Sequence, residues 1–101
     1  MTTDLDAATY MSFTSAKRDG TAVSTPVWLV PFEGGYAFTT DADAWKVKRV
    51  RRNPDVTLAV SDVRGKVEPS ATVHTGRAEV LEGDAIRRVE RAIRRKYWLG
   101  Y

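Results

Sequence analysis

Five of the seven residues from 46 to 52 are basic (Lys46, Lys48, Arg49, Arg51 and Arg52) and none is acidic. The run follows a strand-like stretch at 36–40 and is closed by Asn53-Pro54, a helix-ending pair. The spacing therefore predicts a short cationic helix that opens beside a strand end. Chemically that is an anion site, because cations converge there with the positive end of the helix dipole.

The rest of the charge distribution sharpens this reading. Residues 87–96 hold six more basic residues and a single acid, Glu90, so the two segments contain eleven of the sixteen Lys and Arg. The remainder of the chain is acidic, and the net charge of +3 describes a dipolar molecule rather than a uniformly basic one. A local anionic ligand fits that pattern better than a long nucleic acid. The Arg-rich segment 87–96 reads as a solvated helix face, with contact to RNA or DNA phosphates as the alternative. The exposed aromatic stacking pattern expected for single strands is absent from the sequence.

Other chemistry finds little support. The chain has no cysteine, which excludes disulfides, a thiolate nucleophile and cysteine-ligated metal. His74 is the one histidine and has no ligand or base partner at a useful spacing, so it reads as a strand-face residue. Asp41 and Asp43 precede a helix and read as capping groups rather than a metal pair. No metal site and no catalytic side chain is assigned.

The elements that must position the cationic run are mostly strands. Alternation over 9–16, a turn at Arg18-Asp19-Gly20 and a Val-, Thr- and Trp-rich stretch at 21–32 predict a hairpin, with Pro26 and Pro31 marking a bend or an edge position. Glu33-Gly34-Gly35 leads to a third strand, residues 56–60 form a fourth and residues 71–81 a fifth. The first helix spans about 44–53, with Val47, Val50 and Pro54 on one side and Trp45, Lys48, Arg49 and Arg52 facing outward. A second begins at Gly83-Asp84 and repeats Ile86, Val89, Ile93 and Tyr97 as an apolar stripe. Five strands in series with two helices predict a mainly β, Greek-key small barrel. A chain of 101 residues implies one domain, 1–101, with 1–8 expected to be flexible. No signal peptide and no apolar run of membrane-spanning length is present in the sequence, which leads us to expect a cytoplasmic protein without membrane contact.

In order, Arg18-Asp19-Gly20, Ser24-Thr25-Pro26-Val27-Trp28, Thr39-Thr40, the run from Lys46 through Asn53-Pro54 and Val56-Thr57-Leu58 resemble the split β-barrel flavin and deazaflavin oxidoreductases typified by pyridoxamine phosphate oxidase. The resemblance covers 10–97 and is closest to the branch that uses the deazaflavin F420. It implies a homodimer with the cofactor in a groove between subunits. Lys46, eight positions before Pro54, matches the phosphate-holding lysine. Thr39 and Thr40 match the strand end beside the phosphate, and Arg49 matches a cationic helper. Pro26, Val27 and Trp28 match the strand alongside the ring. The ring itself performs hydride transfer to a small-molecule substrate, so no acid, base or nucleophile is required of the protein.

Trp45 departs from the small or polar residue usual before the lysine and either stacks on the cofactor or blocks it. The resemblance also implies a further barrel strand, expected to be missing after 101. Surplus cations at Lys48, Arg49, Arg51 and Arg52 favour F420, with its oligoglutamate tail, over FMN, the alternative cofactor. A non-catalytic cofactor-binding protein of the same fold stays open as a third class.

Overall fold

The computed structural model of the chain describes residues 4–40 and 44–99, apart from the side chains of Trp98 and Leu99. The fold is mainly β with two α-helices, and both of its sheets are antiparallel. Strands β1 (Tyr10–Ala16) and β2 (Ala22–Trp28) form the hairpin expected at the Arg18-Asp19-Gly20 turn, with Met11 opposite Val27 and Ala16 opposite Ala22. Gly20 takes the left-handed conformation (φ +91°) that the turn needs. Beside it the Asp19 carboxylate accepts the Thr21 backbone N–H at 2.9 Å, and that hydrogen bond holds its pKa below the ordinary carboxylate value.

The expected long return strand is broken at Leu29 into β2 and a short β3 (Val30–Phe32). The latter pairs with β4 (Gly35–Ala37) as a separate two-stranded sheet. Helix α1 (Trp45–Arg52) follows, then β5 (Asp55–Ser61) and β6 (His74–Arg77). The larger sheet runs β2-β1-β5-β6. Pro26 thus lies in an edge strand, where its missing N–H costs least. The fifth strand expected over 71–81 is only four residues long. It pairs with β5 from His74 opposite Leu58 to Arg77 opposite Asp55.

One face of the sheet is apolar and forms the core, where Met11, Phe13, Val27 and Val56 pack with Leu5, Leu29 and Val50. Leu5 is only 2% exposed, and the Tyr36 hydroxyl donates to the Asp6 carboxylate. Leu5 and Ala8 are thus packed against the domain, within the segment 1–8 for which the sequence leads us to expect flexibility. The acidic composition of that segment hides a single buried leucine. Residues Asp41 and Asp43, read as caps, lie outside the described residues.

Helix α2 (Asp84–Arg94) buries Val89 and continues into a π-helical turn, Arg95–Leu99. Of the apolar stripe read in the sequence, Ile93 and Tyr97 are half-buried while Ile86 stays exposed. The turn is fastened to the sheet. Lys96 Nζ donates to the carbonyls of Ala8 and, at 2.9 Å, Leu29, while the Tyr97 hydroxyl lies against the carbonyls of Leu29 and Thr9. Burial pulls the Lys96 pKa below the ordinary lysine value, opposed in part by the Asp6 charge. No helix among the described residues is long and apolar enough to cross a membrane.

Candidate cofactor site

Alternation along β2 divides the three residues expected beside a ring. Val27 is buried and its side chain belongs to the core, so only its backbone can meet a ligand. Pro26 and Trp28 lie on the opposite, outer face, where Trp28 is 50% exposed. Trp28 is held from two sides, by Tyr97 with ring centroids 5.1 Å apart and by Tyr10 edge-on at 6.3 Å. Such packing fixes an aromatic plane while leaving part of it open. Because β2 is an edge strand, one side of its backbone has no strand partner among the described residues. The outer face therefore offers an oriented indole, beside an edge whose backbone has no strand partner among the described residues.

Thr39 and Thr40 follow β4 and are exposed. Lys46 is the second residue of α1 and half-buried, with no acid in the first turn of the helix to neutralise it. The N-cap, Ala44, offers no side-chain cap, and its carbonyl accepts the Val47 and Lys48 N–H groups at 3.1 and 3.3 Å. An ammonium in the first turn of a helix is a donor suited to phosphate. No hydrogen bond among the described residues joins Pro26, Val27 or Trp28 to Lys46.

Arg49 corrects the expectation of an outward-facing cation. It is 8% exposed and its Nε donates to Ser15 Oγ at 2.8 Å, a hydroxyl on the core-facing side of β1. The guanidinium fills the junction between α1 and β1, and its stem packs where the helical wheel places a solvated residue. The other cations of α1 are also engaged to different degrees. Lys48 Nζ stands 4.5 Å from the centre of the Trp45 ring, and Arg51 pairs with Glu82 at 3.3 Å. Trp45 itself is 72% exposed and meets that lysine on its face.

Two open grooves border these residues. The first, of about 470 Å³, lies on the outer sheet face among Thr14, Ala22, Asp55, Thr57, Thr75 and Arg77. Its lining includes three hydroxyls in register on β1, β5 and β6 (Thr14, Thr57 and Thr75), and Thr14 is hydrogen-bonded at 2.6 Å to its β2 partner Ser24, which lies outside the groove. The second, of about 420 Å³, is formed by Thr39 with Glu90, Ile93 and Arg94 of α2. Of the residues the sequence singled out as cofactor contacts, only Thr39 lines either groove.

Sequence reasoning missed Ser15, Lys96 and Tyr97 as partners of these elements. For Ser15 the signal was present, since it falls in phase with Met11 and Phe13 and so must point inward. For Lys96 and Tyr97 no local signal exists, because the carbonyls they meet belong to the distant residues 8, 9 and 29.

No curated protein and no solved structure matches the chain. The pyridoxamine 5'-phosphate oxidase family model, however, matches residues 1–99, and the chain accordingly belongs to that family, whose type is the flavin-binding oxidoreductase.

Proposed function

We propose that the protein is an F420-dependent oxidoreductase, a closed split-barrel homodimer that exchanges hydride between the deazaflavin and an unsaturated small molecule in the cytoplasm. The observation that carries the reading is Lys46 in the acid-free first turn of α1. Lys46 with Thr39 and Thr40 would hold the phosphate, while Pro26, Trp28 and the backbone of Val27 would lie along the ring. These donors suit a phosphate, and a half-exposed indole suits a planar heterocycle. When bound, the cofactor supplies the hydride chemistry. The role of the chain is to hold the ring, orient it and cover it against an apolar substrate. Arg49, tied to Ser15, would act by setting the pose of α1, with Lys46 making the contact.

FMN is the second reading, favoured by membership in a family typified by flavin binding. Titration of the purified protein with F420 and with FMN, followed by fluorescence with a duplex oligonucleotide as control, separates the two. Saturation by F420 at one per subunit supports the deazaflavin reading, a preference for FMN replaces it, and binding only to the duplex removes both. Lys46→Ala is expected to weaken cofactor binding by about 1.5 to 3 kcal/mol, the scale of a hydrogen bond to a charged group, with little change in thermal stability. Unchanged affinity would take Lys46 out of the site.

A further inference from the structure

Three of the α1 cations that could follow an anionic ligand beyond its phosphate are drawn into internal contacts: Arg49 to Ser15, Arg51 to Glu82 and Lys48 to the Trp45 ring. On α2 the first two arginines are likewise engaged, Arg87 with Asp84 at 3.9 Å and Arg88 with Glu33 at 3.0 Å. The Arg88 pair sets α2 beside the β3–β4 turn, and the groove opens farther along the helix. There Arg94 lines the groove together with Thr39 and Ile93, with no carboxylate partner among the described residues. Thr39 lies at the strand end that the proposed function gives to the phosphate.

We propose that this groove is a second anion subsite, in which Arg94 receives a carboxylate of a chain that extends from the cofactor's phosphate. The inference rests on the deazaflavin reading and assigns the tail of that ligand to α2 rather than to the surplus cations of α1. A guanidinium binds carboxylate through two parallel N–H donors, and Ile93 gives the methylenes of such a chain an apolar wall. Glu90, one helical turn before Arg94, lines the same groove and places a negative charge against any incoming carboxylate. Occupancy thus depends on the balance of Arg94 against Glu90.

The test uses the full chain and two probes, F420 with several glutamates and the same deazaflavin phosphate lacking them. Arg94→Gln is expected to weaken the tailed probe about fivefold, as for an exposed charge pair, and to leave the tail-less probe within about twofold. Glu90→Gln is expected to tighten the tailed probe alone by about twofold, which a misfolded variant would not do. Equal effects on both probes, or none on either, would overturn the subsite while leaving the deazaflavin reading intact. Failure of the wild-type protein to bind either probe would overturn both.

Discussion

The two cationic helices are alike in composition and opposite in use. In α1 two of the cations turn inward or stay on the helix: Arg49 is buried on Ser15 and Lys48 covers Trp45. In the α2 region the charge reaches outward along the helix and then, at its end, inward to backbone, where Lys96 satisfies the carbonyls of Ala8 and Leu29. The difference follows from what each helix packs against. Strand β1 presents a hydroxyl in its core-facing row, whereas the breaks before β1 and after β2 present carbonyls that no strand partner takes up. A count of basic residues carries no information about which of these partners a cation will find.

The largest effect that could break the comparison concerns Arg49. Arg49→Ala removes a buried stem and leaves the Ser15 hydroxyl, itself buried, without its partner. It is expected to cost about 3 kcal/mol in urea unfolding. A loss below about 0.5 kcal/mol, the scale of an ordinary surface substitution, would return Arg49 to the solvated face that the helical wheel gave it.

Lys96→Met comes next, with an expected loss of about 2 kcal/mol because two buried carbonyls lose a charged donor. Its pH dependence sharpens the contrast with Arg49. Burial lowers the folded-state pKa of Lys96, so between that value and the unfolded value near 10.5 the unfolded chain binds more protons and stability rises with pH. The neutral amine keeps two N–H donors for the two carbonyls. The stability gap between wild type and Lys96→Met should therefore widen as the pH climbs from neutral toward about 10. A gap that narrows would mean that the ammonium charge itself holds the turn.

How much of this was legible in the sequence varies with the range of the interaction. The β1–β2 hairpin, the short basic helix and the apolar residues of α2 follow from local periodicity and turn chemistry, and each stands within a few residues of its expected place. Strand β6 is shorter than the alternation over 71–81 implies, because pairing ends where β5 ends, at Asp55 opposite Arg77. Leu5 in the core and Lys96 on the carbonyl of residue 8 depend on chain segments far apart in sequence, which no window of residues displays. For the candidate site, the position of Lys46 near the start of a short helix and of Pro26 to Trp28 in a strand was readable, whereas the inward turn of Val27 and Arg49 needed the sheet to be in place.

The smallest effect is expected at Arg51 and Glu82, whose side chains are both more than half exposed at a separation of 3.3 Å. A double-mutant cycle on the pair should return a coupling of about 0.2 to 1 kcal/mol, falling toward zero in about 1 M salt. If it does, α1 sorts its cations by depth: one buried and stabilising at Arg49, one screened at Arg51, and Lys46 at the helix start left for a ligand. A coupling several times larger and insensitive to salt would mean that residues 78–83 clamp the last turn of α1. The orientation of Lys46 would then depend on that clamp as well as on the bond between Arg49 and Ser15.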